Sequence, residues 1–302
     1  MSNVNEYKDI VAYHPGYYIA DIIEDMEISQ AELAKEIDYK YFVDVIGLPI
    51  ARSINEKVAN LCKYFKVADL RIMLQPDFLV NFRSSASCNN EKNIINSRAW
   101  IQTAINISKS IETKPYNAEK LKGYLPELRG MTVKKPEEFL PRMREIFAEC
   151  GVAFVLLPHL KNSGVNGAVK WVSEDRVVLA MNNRGLDADK FWFSLFHEIK
   201  HVLQQKIKTV FISSTVEEMK DINDKLEIEA DKFAMNYLIP PADYKRLAPT
   251  KYTSDDEIVE FAKSIGIHPG IVAGRLQHAG IIAQNRCSKL KEKYVIEIKH
   301  IA

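Results

Sequence analysis

Phe196-His197-Glu198-Ile199-Lys200-His201 is the stretch on which the reading of this chain turns. Residues four apart on a helix share a face, so His197 and His201 aim their imidazoles at one point, with Glu198 beside it. This is the spacing that binds zinc with two histidines and holds a carboxylate next to a water at the metal. The run from Asp187 to Phe196 leads in without Gly or Pro, opens with acids and then turns apolar. Val202 and Leu203 continue the apolar side, which predicts a buried helix. Buried histidines need partners, and a pair of core histidines bonded to backbone is the plainer alternative.

A catalytic zinc takes three protein ligands and keeps one position open. Leu226-Glu227-Ile228-Glu229-Ala230-Asp231-Lys232-Phe233-Ala234 supplies the third ligand on a second helix. Glu227 and Asp231 share a face, and the small Ala230 and Ala234 lie on the same side, so the two helices can close up. Asp231 is placed to accept a hydrogen bond from a ligand histidine. Glu229 points about 200° away from Glu227 at the helical pitch of roughly 100° per residue and is the weaker candidate. Without the histidine pair, these acids would read as a solvated helix face.

H-E-I-K-H followed by E-I-E-A-D-K-F-A-M-N-Y-L-I-P resembles the ImmA/IrrE-type metallopeptidases. The similarity extends upstream through G-V-A-F-V-L-L-P (151–158), N-G-A-V-K-W-V (166–172) and F-W-F-S-L-F (191–196), and downstream to I-H-P-G-I-V-A-G-R-L-Q-H (267–278). The resemblance implies a small sheet flanking zincin-like helices. It implies Zn2+ held by His197, His201 and Glu227, with Glu198 as the catalytic base. It also implies a cytosolic peptidase that cuts a repressor or a related regulatory partner. Lys200 stands where glycine is common in that family, and it faces away from both histidines.

The expected fold class is α+β: an all-helical N-terminal unit (1–76), a helical connector (77–135), and a zincin-like metallopeptidase domain with a small sheet and a helical C-terminal cap (136–302). In the first unit, an apolar-periodic stretch covers 17–26. Ser29-Gln30-Ala31-Glu32 and Ser53-Ile54-Asn55-Glu56 read as capping boxes that open helices. The I-S-Q-A-E-L-A run resembles the helix-turn-helix of HigA/XRE-type repressors and antitoxins, a module often fused to an ImmA/IrrE-type domain. DNA contact through 14–66 therefore enters as an expectation, and a DNA-binding regulator or antitoxin acting without cleavage is the rival function. The residues argue against it. The recognition stretch 39–46 is short and carries no Arg, Asn, Gln or Ser to read base edges. Residues 1–76 hold 8 Lys+Arg against 12 Asp+Glu, a net −4, where a DNA-binding unit should be basic.

Helices are expected over 84–111 and from Pro136 to Cys150-Gly151, and strands over 152–157, 168–172 and 176–181, the last two joined by a turn at Ser173-Glu174-Asp175. An edge strand of that hairpin is expected to line the cleft and pair with an extended substrate, with Trp171 either at the cleft or in the core. Ser254-Asp255-Asp256-Glu257 opens a further helix and Pro269 another. Tyr237, Tyr244 and Arg275 are open alternatives for stabilising an oxyanion, whereas His268, His278 and His300 have no partner at ligand spacing.

The chain has 302 residues, 47% hydrophobic and 27% charged, with a formal net charge of +1. That length allows two or three compact units, and near-neutrality gives no global pull toward nucleic acid or membrane. No apolar run approaches the ~18 residues of a membrane span, and no leader pattern opens the chain. Cys62, Cys88, Cys150 and Cys287 are far apart and form no C-x-x-C, which fits reduced thiols in a cytoplasm.

Overall fold

The computed structural model describes residues 5–7, 10–12, 28–74, 81–84, 91–182, 187–204, 216–247 and 254–294. The helix expected over 17–26, Cys88 and His300 lie outside them. A short antiparallel pair, β1 (Asn5–Tyr7) and β2 (Ile10–Ala12), comes first. Helix α1 (Gln30–Glu36) opens on the complete Ser29/Glu32 capping box. Helix α2 (Tyr39–Tyr41) runs into a π-helical turn, Phe42–Ile46, that ends on Gly47. Helix α3 (Ile54–Phe65) is capped by Ser53, but Glu56 reaches back to the Arg52 amide, so the second box is only half formed.

The stretch 84–111 departs from expectation. Ser84, where the helix was expected to begin, ends a strand, β3 (Asn81–Ser84), and helix α4 covers Glu91–Ser108. Helices α5 (Ala118–Gly130) and α6 (Pro136–Glu149) follow. Proline at the first position and two acids in the first turn start α6, and Gly151, at φ +80°, ends it. A Cβ at Gly151 would also lie 2.3 Å from the Tyr116 backbone, so a side chain is excluded twice over.

Strands β4 (Val152–Leu157), β5 (Val165–Ser173) and β6 (Arg176–Asn182) join β3 in one four-stranded sheet of order β3-β5-β6-β4. β4 runs parallel to β6, while β5 pairs antiparallel with both β6 and β3. The hairpin expected to offer a free edge therefore does not do so. β3 lies along the outer side of β5, with Phe82 opposite Ala168 and Ser84 opposite Val165.

Alternation along the strands divides the core in two. Val152, Phe154, Leu156, Val177, Leu179 and Met181 face α5, α6 and the C-terminal helices. Ala153, Val155, Leu157, Val178, Ala180 and Ala168 face α4 and the N-terminal helices. A sheet apolar on both faces has to be covered on both. The N-terminal helices do part of this. Phe42 is fully buried against Tyr64 and Phe65, and the Tyr41 hydroxyl donates to the Pro158 carbonyl at 3.0 Å. The aromatic side of the short helix expected to read DNA is thus turned into this chain's own core. Arg176 donates to the Ser108 and Ile111 carbonyls and fastens the end of α4 to the hairpin.

Beyond the sheet lie α7 (Ala188–Leu203), α8 (Val216–Leu238), α9 (Pro241–Leu247), α10 (Asp255–Ser264) and α11 (Pro269–His278). The Ser254/Glu257 capping box opens α10 as expected. Ala230 and Ala234 are fully buried where α8 packs on α7. The Arg129 guanidinium donates to the carbonyls of Tyr237, Leu238 and Ile265, satisfying helix-end carbonyls and pinning α8 to α5. Tyr294 is buried in the same core and accepts from the Trp192 indole at 2.7 Å. Among the described residues no helix is long and apolar enough to cross a membrane, and Cys62, Cys150 and Cys287 are free thiols.

Candidate metal centre

Helix α7 is buried over most of its length because its apolar residues recur on the side facing the sheet and α8. His197 and Glu198 are 0% exposed, and His201 is buried. The two Nε2 atoms lie 3.0 Å apart. Glu227 comes across from α8, with its oxygens 3.2 Å from each Nε2. One ligand atom from each of His197, His201 and Glu227 lies within 4.8 Å of the others. The structure therefore brings together the three residues read as metal ligands.

Each imidazole is held from behind. His197 Nδ1 donates to Asp231 at 2.9 Å, the bond expected of Asp231. His201 Nδ1 donates to the Gln204 side-chain oxygen at 2.9 Å, and the Gln204 amide reaches the Leu226 carbonyl and Glu229 on α8. With both Nδ1 atoms donating, both Nε2 lone pairs face Glu227. Glu229, the weaker candidate, pairs with Lys200 at 3.4 Å outside the cluster.

Two lone pairs and a carboxylate converging in a buried place require a positive charge among them. Without a metal, a proton supplies it. Burial disfavours the His197 imidazolium, but the carboxylates of Asp231, Glu227 and Glu198 outweigh it and push the pKa up to about 9. Burial would likewise raise Glu227, but hydrogen bonds from both histidines overcome it and bring the pKa down to about 2. The donor set, two imidazoles and one carboxylate, fits Zn2+.

Two contributors had no clear signal in the sequence. Gly167, the third residue of β5, lies against Glu198: a Cβ there would sit 2.7 Å from Glu198 Cγ and 2.8 Å from Oε1. A glycine inside a strand pattern marks such a close approach, and that was its only trace. Gln204 stands three residues after His201, one helical turn on, and only the fold shows that it reaches back. The oxyanion alternatives separate: Tyr237 stacks on Phe196, while Arg275 sits over the Tyr244 ring, 4.7 Å from its centroid, and lines a cavity together with Phe193 and Asp231. Trp171 packs edge-on against Tyr116 on the core. His268 is an N-cap, accepting from the Gly270 amide.

A family model, the IrrE N-terminal-like domain (Peptidase_M78), matches residues 157–277. The match begins at the end of β4 and stops within α11, so it spans α7 and α8, which carry the cluster. It supports a metallopeptidase-like domain in this chain. No curated protein and no solved structure matches the chain.

Proposed function

We propose that this chain is a zinc-dependent endopeptidase of the cytoplasm that cuts a regulatory protein, a repressor or a toxin–antitoxin-type partner. The observation that carries this reading is the convergence of His197, His201 and Glu227 beside the wholly buried Glu198. Zinc held by those three residues supplies a Lewis acid that acidifies a water and polarises a peptide carbonyl. Glu198 takes the proton from the attacking water and delivers it to the leaving amine. Gly167 holds the Glu198 side chain in place from the sheet, and Asp231 and Gln204 hold the two imidazoles. The residues of this chemistry all lie within 136–302, proposed as the catalytic unit, with 1–76 as a module that presents a partner.

The rival, a DNA-binding regulator, draws no support from α2 and the π-helical turn after it, whose Tyr41 and Phe42 are in the core.

Metal content of the purified chain tests the proposal. About one zinc per chain is expected in wild type and none in His201→Ala or Glu227→Gln, while Glu198→Gln keeps zinc and loses hydrolysis. Wild type that binds no zinc when supplied with it, or Glu198→Gln with full activity, refutes the reading.

A further inference from the structure

The cavity shared by Phe193, Asp231 and Arg275 has a volume of about 450 Å3. It adjoins the metal cluster: Phe193 stands one turn before His197 on α7, and Asp231 holds His197 from α8. Met181, Phe191, Leu238 and Ile271 make much of the remaining wall apolar. Glu227, Asp231 and Met235 recur every four residues and share a face of α8, which places Met235 about 12 Å along the helix axis from Glu227.

Arg275 reaches that face from α11. Its Nη1 donates to the Met235 sulfur, and the Tyr244 ring covers one side of the guanidinium, with its centroid 4.7 Å away. Nε and Nη2, which form a second edge, make no hydrogen bond among the described residues, and neither is sealed from solvent. The two lysines of the wall are matched, Lys190 to Asp187 and Lys291 to Asp189, each at 2.7 Å. Asp231 is engaged with His197. Arg275 is therefore the cation of this wall that no carboxylate among the described residues neutralises.

We infer that Arg275 receives a carboxylate of the bound peptide, from an acidic side chain or from the chain end, on its Nε and Nη2 edge. The inference rests on the peptidase reading for its ligand, because the anionic groups of an unmodified peptide are carboxylates. Two parallel N–H groups on one edge of a planar guanidinium meet both carboxylate oxygens at once. An extended peptide advances about 3.3 Å per residue, so a guanidinium beside Met235 meets a residue roughly two to four places from the scissile bond. The same separation suits Arg275 to holding the peptide and not to the oxyanion, whose donors must lie about 3 Å from the reacting oxygen. The apolar wall takes the side chains in between.

The test is binding of N-acetyl-glutamic acid α-amide, N-acetyl-glutaminamide and N-acetyl-leucine to the full chain, followed by NMR shifts at Gly274 and the Arg275 Nε–H, with and without zinc. At least one of the two acids should bind about tenfold tighter than the neutral glutaminamide. The glutamic acid amide carries its carboxylate on the side chain and N-acetyl-leucine at the chain end, so the tighter of the two names the source. Arg275→Gln should close the gap between acid and neutral probe, and Arg275→Lys should restore part of it. A residue that only packs between Met235 and Tyr244 would not tie that gap to its own charge. If neither variant folds, the wild-type comparison decides alone. Acids that bind no tighter than glutaminamide, no shift with any probe, or a gap that persists in folded Arg275→Gln overturns the inference. Acid preference in a chain that retains no zinc would uphold the carboxylate site and sink the peptidase. Hydrolysis without acid preference would do the reverse.

Discussion

Replacing Gly167 by Ala should disable Glu198 while leaving the metal in place. The new Cβ would lie 2.7 Å from Glu198 Cγ and 2.9 Å from Cδ, roughly 0.8 Å short of the ~3.5 Å at which carbon atoms rest. The β5 backbone has little freedom to retreat, because Ala168 pairs with both Ala180 and Phe82. Glu198 is wholly buried, so its carboxylate shifts by a large part of that distance. A displacement near 1 Å at a reacting group costs about 100-fold in rate. Overpacking costs about 1–3 kcal/mol, offset by about 0.4–1 kcal/mol from the stiffer unfolded chain. The net loss is about 1–2 kcal/mol, a fall of a few degrees in Tm for a chain of this size. The assay is cleavage of a quenched-fluorescence peptide library that wild type cuts, with zinc content and a thermal melt on the same preparation. Gly167→Ala with wild-type cleavage would refute the assigned contact. Loss of zinc would show that the strand supports the ligands and not the base.

Asp231→Asn keeps the shape but weakens the grip on His197, and competition with a chelator should show zinc affinity falling by about 10–100-fold. The zinc-free protein should lose stability as pH rises from 6.5 toward about 9: a His197 pKa raised by folding gives stability that is whole below the ordinary imidazole range and gone above its folded value. Glu227, lowered to about 2, contributes stability that is whole above the ordinary carboxylate range and lost only as pH falls through that value. Melts with and without zinc check this, because zinc binding favours neutral imidazoles and its stabilisation grows with pH. A fragment of 136–302 should aggregate or melt well below the full chain despite holding every ligand, because Ala153, Val155, Leu157, Val178 and Ala180 lose their cover. A fragment that melts like the whole would show that the second core contributes little.

The features that the sequence revealed are those with local causes. Val152–Leu157 is an unbroken apolar run and forms a strand as read. The Ser29 and Ser254 boxes start their helices because the bonds involved span three residues. His197, His201 and Glu227 could be named because helical periodicity fixes the faces and zinc chemistry fixes the donors. β3 could not: Asn81-Phe82-Arg83-Ser84 has no strong strand pattern of its own, and its pairing is made with a strand some eighty residues away. Gln204 and Gly167 act through contacts that exist only once α7 lies on β5 and α8, and nothing in their neighbours' identities announces them.

The edge of β5 is already taken. Residues 81–84 hydrogen-bond along it on both sides of Gly167, in the antiparallel sense that an added peptide would use. Because that strand is tethered to the same chain, its local concentration is set by connectivity, on the order of millimolar. A peptide partner present at micromolar levels enters such a competition about a thousandfold behind. Adding to β5 therefore becomes an exchange reaction, in which one strand leaves as another arrives. A protein that reached the cluster of His197, His201 and Glu227 by this route would be selected as much for its power to displace β3 as for any bond it offers to be cut.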